Sequence, residues 1–291
     1  PEKPTILLRD SFLLVALSWI LGSACGALPF MVSGAIPGFA DAFFESASGF
    51  TTTGASILSD VEVLPRGILF WRSFTHWIGG MGILVFAIAL FPSLGIGAFL
   101  VAKAEAPGPS LDKLTPKISD TAKLLYIMYS GLTIAEFLLL LLGGLNWFDA
   151  LVHTFGTVAT GGFSSYNASI AHFDSVYVEM VVTVFMALAG VNFNLYFLLF
   201  NGKVRHFFQD RELRTYSAVI LLAFLAVTAA LLLYGHAASL GEAMRHSIFQ
   251  VVTVLTTTGF ATTDFALWPT TATVTLLILM FIGGCSGSTS G

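Results

Sequence analysis

Charge is scarce in this sequence. Only 10% of its 291 residues are Asp, Glu, Lys or Arg, whereas soluble domains carry about a quarter. The net charge of −4 and pI near 5.8 give no basic excess for nucleic acid. Cysteine is almost absent: Cys25 and Cys285 stand far apart in apolar runs, which argues against a disulfide and reads both as buried small residues. There is no His/Cys cluster with zinc spacing, no Ser-His-Asp constellation and no Walker-type phosphate loop, so neither an enzyme nor a bound cofactor is expected. What is abundant is apolar: 56% hydrophobic residues and a mean hydropathy of +0.85. These residues gather into runs suited to a bilayer, where a helical crossing needs roughly 20 residues. Membrane lipid is thus the first expected partner.

Six apolar segments stand out, at Phe12–Val32, Ile68–Phe91, Leu124–Leu145, Val176–Phe200, Ala218–Tyr234 and Thr271–Ile282. They come in pairs. Each pair encloses a shorter, partly apolar stretch, Asp41–Ser56, Asp149–Ser164 or Glu242–Thr263, that ends in a Thr/Gly cluster. This is the pattern of a re-entrant half-helix followed by extended backbone. The stretches are also self-similar. Residues 41–56 align without gaps on 149–164, with Asp, Ala, Thr, Gly and Ser coinciding, and a third copy runs from Glu242 to Ala261 with about one extra turn before its Gly259. The reading is an all-α integral membrane protein of helix–pore-loop–helix units: 9–91, 119–200 and 215–291, joined by linkers 92–118 and 201–214.

Basic residues orient these units. Lys103, Lys113, Lys117 and Lys123 lie in or beside the first linker, and Lys203, Arg205, Arg211 and Arg214 in or beside the second, so both read as cytoplasmic. The loops then enter from outside. The chain starts at Pro1 and stops at Gly291 inside an apolar segment, and both ends read as edges of a longer protein.

Each re-entrant stretch starts with an acid, Asp41, Asp149 or Glu242, read as a helix cap that sets the dipole direction. Three clusters follow: Thr52-Thr53-Gly54-Ala55, Thr160-Gly161-Gly162-Phe163 and Thr257-Thr258-Gly259-Phe260. A dehydrated potassium ion needs a cage of oxygens, which rings of backbone carbonyls supply. Glycine permits the backbone conformations that aim successive carbonyls at one axis. One Thr-Thr-Gly reads as a turn; three, placed alike between paired membrane helices, read as a filter with potassium as permeant ligand.

These segments resemble the Trk/Ktr/HKT superfamily of potassium transporters, in particular its bacterial TrkH-type pore subunits. The resemblance extends to Arg9-Asp10-Ser11-Phe12-Leu13-Leu14, to the stretch from Phe70 to Gly82, and to Asp210-Arg211-Glu212-Leu213-Arg214. It implies a pseudo-fourfold pore of four non-identical units in one chain, of which three are present. It also implies that Gly54, Gly162 and Gly259 are filter glycines, and that glycine at the first position goes with potassium rather than sodium. A further implication concerns Gly283-Gly284-Cys285-Ser286-Gly287-Ser288-Thr289-Ser290-Gly291, which would be an intramembrane gating loop under the filter. Read from the residues alone, this stretch is either a broken helix lining a cavity or a small-residue packing patch. The resemblance further implies a homodimer in the bacterial inner membrane and a TrkA-like cytoplasmic nucleotide-binding regulator.

Several polar residues invite other readings. Glu136, alone in an apolar run, is either a structural partner or the midplane acid of a proton- or sodium-coupled transporter. Arg72 and His76, one turn apart, are expected to be structural, and Gly79-Gly80-Met81-Gly82 to allow close packing. Asn192 and Asn194 are expected to bond between helices. His153 and His246 occupy similar places in their pore helices, as filter supports.

Overall fold

In the computed structural model, residues 8–82 and 118–290 are described. Positions 83–91 of the second apolar segment, the linker lysines Lys103, Lys113 and Lys117, and Gly291 lie outside them. Among the described residues the regular structure is helical: α1 (Leu8–Val32), α2 (Phe39–Phe50), α3 (Arg66–Gly79), α4 (Ile118–Leu142), α5 (Trp147–Val158), α6 (Val176–Ala189), α7 (Phe193–Phe200), α8 (Val204–Gln209), α9 (Arg211–Leu233), α10 (Leu240–Leu255) and α11 (Thr270–Leu279), with short 3-10 turns besides. Among the described residues three helical spans, Phe12–Val32, Lys123–Leu142 and Arg211–Leu233, are long and apolar enough to cross a membrane.

Local chemistry starts most of these helices. Ser175, Asp210 and Ser239 cap α6, α9 and α10 by accepting from Val178, Leu213 and Glu242 N–H groups, and Asn146 caps α5 through Phe148 and Asp149. Pro65 and Pro269 stand just ahead of α3 and α11. The acids expected as caps sit elsewhere: Asp41, Asp149 and Glu242 occupy the third helical position after Gly38, Asn146 and Ser239. A carboxylate there still complements the helix dipole, while the shorter Asn and Ser side chains reach the first free N–H groups.

Packing repeats along the chain. The short helices α2, α5 and α10 lie between a preceding long helix and a following one, in the triads α1–α2–α3, α4–α5–α6 and α9–α10–α11. The following helix of one triad packs on the short helix of the next, α3 on α5 and α6 on α10. The outer helices present apolar side chains outward, among them Leu13, Leu17 and Leu21 on α1 and Leu221, Leu222 and Leu225 on α9. In water such a belt would be unfavourable; in a hydrocarbon layer it is the expected exterior. Cys25 is part of it, exposed rather than buried, while Cys285 is buried as expected.

Two apolar segments are not straight crossings. Val176–Phe200 divides into α6 and α7 with a bend of 92°. Asn192, expected to bond between helices, instead caps α7 by accepting the Asn194 N–H at 2.9 Å. The break falls at Gly190–Asn192. The other case is α11, whose 10 residues span about 15 Å, half a hydrocarbon core.

Candidate functional site: three strained loops and the segment beneath them

Helices α2, α5 and α10 end in the same way. The N–H groups of Thr52 and Thr53 reach back to the carbonyls of Gly49 and Ser48, those of Thr160 and Gly161 to Thr157 and Gly156, and those of Thr257 and Thr258 to Val254 and Thr253. This is the Schellman motif, whose left-handed residue is usually glycine. Here it is threonine every time: Thr52, Thr160 and Thr257 hold φ of 54°, 54° and 57°. A β-branched residue in that region costs about 1–3 kcal/mol and persists only where its surroundings impose it. Two residues later Gly54, Gly162 and Gly259 hold φ of 72°, 81° and 81°. Six positive-φ residues in register, two per loop, turn the backbone of each loop in the same sense.

The loops meet one another. A Cβ on Gly54 would collide with the Gly161 carbonyl oxygen, and one on Gly162 with that of Thr258, whereas one on Gly259 would meet nothing within 4 Å. Loop one therefore abuts loop two, and loop two abuts loop three, carbonyl oxygen against glycine. The helix C-termini behind them add partial negative charge, so the junction offers oxygen and negative potential, and none of residues 52–55, 160–163 and 257–260 is cationic.

Side chains of the first triad hold the second loop. His76 Nδ1 lies 2.6 Å from the Gly49 carbonyl and its Nε2 accepts the Phe163 N–H at 3.2 Å. A carbonyl can only accept, so the proton is on Nδ1 and the ring is neutral. Phe163 is sandwiched between that ring (centroids 4.1 Å apart) and the Arg72 guanidinium (4.1 Å). Arg72 is buried, ion-paired at 2.8 Å with the equally buried Glu45, and it donates to the Ser164 carbonyl at 3.3 Å. In the same fashion Phe260 of the third loop packs on His153 of the second triad. The small residues 79–80 do allow close approach, since a Cβ on Gly80 would come within 2.9 Å of the Ala159 backbone.

Beneath the loops, residues 280–290 leave the helical path. Cys285 N–H donates to the Gly190 carbonyl at 2.9 Å and Gly287 accepts the Phe193 N–H at 3.0 Å, so this segment fills the break between α6 and α7. Thr289 Oγ1 reaches the Val158 carbonyl at 2.9 Å, and the Thr289 carbonyl accepts the Thr160 hydroxyl at 2.8 Å. The segment thus touches the base of the second loop directly. At its other end the Glu212 carboxylate accepts the Ser286 N–H at 2.6 Å and its hydroxyl at 3.1 Å.

The residues read from sequence as filter lie at the loop junction, and 283–290 lie against it. Three features were not read: the left-handed threonines, the buried Glu45 and the Glu212 contact. Glu45 had a visible signal, an acid in the middle of an otherwise apolar and small re-entrant helix. His246 does not share the role of His153: its Nδ1 is buried without a partner, because the extra turn of α10 displaces it from the loop.

Comparison with known proteins gives one answer. The TrkH family of cation transport proteins matches residues 2–291. The Trk system potassium uptake protein TrkH of Vibrio parahaemolyticus is 45% identical over 297 residues, covering 100% of this chain and 61% of the relative. The TrkH of Halomonas elongata is 42% identical over 286 residues, 97% of this chain and 59% of the relative. The crystal structure of the potassium transporter TrkH from Vibrio parahaemolyticus superimposes with a TM-score of 0.85 at 40% identity, covering 100% of this chain and 60% of that one. The chain thus spans about three-fifths of the length of these relatives.

Proposed function

The chain belongs to the TrkH family of cation transport proteins, and we propose that it supplies three of the four loops of a potassium-selective pore for uptake across the bacterial inner membrane. The observation that carries this reading is the junction of loops at Gly54, Gly162 and Gly259, where carbonyl oxygens and paired left-handed residues recur in register. Carbonyls of residues 52–55, 160–163 and 257–260 replace the hydration shell of the ion. The dipoles of α2, α5 and α10 offset its charge. A fourth loop, in pseudo-fourfold arrangement, closes the ring on the open side of Gly259.

The segment 283–291 acts as the gate, a reading supported by the packing of Cys285, Gly287 and Thr289 beneath the loops. Linkers 92–118 and 201–214 are assigned to the cytoplasm on the basic residues they carry. They form the docking surface for a TrkA-like nucleotide-binding regulator, and the assembly is a homodimer. Rubidium uptake by the full-length protein in a potassium-uptake-deficient host tests the reading: uptake that potassium outcompetes and sodium does not supports it, and equal competition by the two refutes it.

One observation favours coupled transport as a second reading. Glu136 of α4 is fully buried and both its carboxyl oxygens lack hydrogen-bond partners, while the nearby Thr157 hydroxyl is given to the His153 carbonyl. Uptake that stays independent of the proton gradient in wild type and in Glu136→Gln removes that reading.

A further inference from the structure

Nine positions before each loop glycine, the short helix carries a buried polar side chain: Glu45, His153 and Gln250. Two positions after the glycine stand Ser56, Ser164 and Ala261. In the first triad the Ser56 hydroxyl donates to the Glu45 carboxylate at 2.9 Å, and the Ile57 N–H to its other oxygen at 3.1 Å. In the second the Ser164 hydroxyl donates to His153 Nε2 at 2.8 Å. The direction of that bond is fixed, because His153 Nδ1 lies 2.8 Å from the Asp149 carbonyl and must carry the ring proton. Each serine oxygen then accepts the N–H two residues on, from Leu58 at 3.1 Å and Tyr166 at 3.0 Å. One device is built twice, once on a carboxylate and once on a neutral imidazole.

The third triad departs from it. Ala261 has no hydroxyl to give, and Gln250 Oε1 is buried without a partner. The loop is tied sideways instead. Ala261 N–H donates to Ser169 Oγ of the second triad at 3.2 Å, and its carbonyl accepts the Ala171 N–H at 3.1 Å. Ser169 itself sits at φ 55°.

We propose that Glu45 and His153 are positioning residues for ion selectivity, each clamping the outer end of its loop to its own helix through Ser56 or Ser164, and that the third loop relies on Ser169 of its neighbour. The inner end of every loop is fixed by the helix terminus. The clamp fixes the other end, so the carbonyls between them cannot rotate to suit a smaller ion. Once the Ser56 or Ser164 hydroxyl is lost, the outer end of that loop loses its serine tie to its own helix, and its oxygens can close on sodium. The inference rests on the reading of the loops as a potassium filter.

The test uses the full-length protein with Ser164→Ala, Ser164→Thr and Ser56→Ala, and Gly162→Ser as reference. The readout is competition of potassium and sodium for rubidium uptake, normalised to the amount of folded protein. Ser164→Ala is expected to lower the potassium-over-sodium preference roughly fivefold, the factor one net hydrogen bond is worth. Ser164→Thr, which keeps the hydroxyl, is expected to retain the preference. Ser56→Ala serves the same purpose should Ser164→Ala not fold. An unchanged preference in the alanine variants overturns the proposal. So does a proportional loss of both ions, or an equal effect of alanine and threonine. If Gly162→Ser also keeps the preference, the filter reading falls; if it alone abolishes the preference, only the clamp does.

Discussion

Among the described residues, Glu212 is the one charged group that holds the segment beneath the three loops. Both its oxygens accept from Ser286, at 2.6 and 3.1 Å. Hydrogen bonds to an ionised acceptor are worth about 1.5–3 kcal/mol each. At this half-buried position screening favours the low end, so replacing Glu212 with alanine should cost the docked segment about 3 kcal/mol in all. That is roughly a hundredfold shift in a two-state equilibrium. A gate that leaves the path about 1% of the time would then leave it about half of the time. Glu212→Gln keeps a neutral acceptor for the Ser286 N–H and should shift the equilibrium about tenfold. Rubidium influx by the full-length protein, measured without regulator and normalised to protein in the membrane, reads this directly. Basal influx should rise in the order wild type, Gln, Ala. Wild-type influx in both variants, or a fall in both, would refute the assignment of 283–290 as a gate clasped by Glu212.

Two further outcomes follow from the ion pairs and loops. Breaking the buried Glu45–Arg72 pair from one side leaves an uncompensated charge, so Glu45→Gln or Arg72→Met should each cost about 3–5 kcal/mol. The double variant should fall short of the sum by about 2 kcal/mol, as thermal midpoints of purified protein will show. Asp60 sits on an exposed loop, and the Asn167 side-chain amide, with the Glu62 N–H second, holds its carboxyl below the usual carboxylate range. A depressed folded-state pKa gives a contribution that is complete above about pH 4 and lost as pH falls through the lower folded value. The stability difference between wild type and Asp60→Asn should therefore be present at pH 7 and be lost as pH falls below the usual carboxylate range.

The sequence was legible where its physics is one-dimensional. Apolar runs of bilayer length and three Thr/Gly clusters between them follow from composition and spacing, and the structure places those clusters at one junction. The break at Gly190–Asn192 was hidden because both flanks are apolar, so Val176–Phe200 reads as one crossing. Only a docked backbone segment, with Cys285 N–H on the Gly190 carbonyl, makes the bend tolerable. The left-handed threonines were hidden for a related reason. Threonine disfavours that region intrinsically, and its three occurrences are imposed by helix ends and neighbouring loops. The helix caps were misplaced by three residues, because an acid in the first turn and a true cap satisfy the same dipole. Glu45 and Arg72 are 27 residues apart, and no local pattern pairs them.

If carbonyls of the Gly54, Gly162 and Gly259 loops select potassium, a side chain at Gly162 must disturb that selection. Its φ is 81° and any Cβ there enters the Thr258 carbonyl, so Gly162→Ser must displace oxygens of both the second and third loops. Left-handed strain alone is about 1–2 kcal/mol, enough for about a tenfold change. In full-length protein Gly162→Ser is expected to reach the membrane folded but to lose at least tenfold of its potassium-over-sodium preference. A folded Gly162→Ser protein with the wild-type preference would contradict the reading of these loops as the filter.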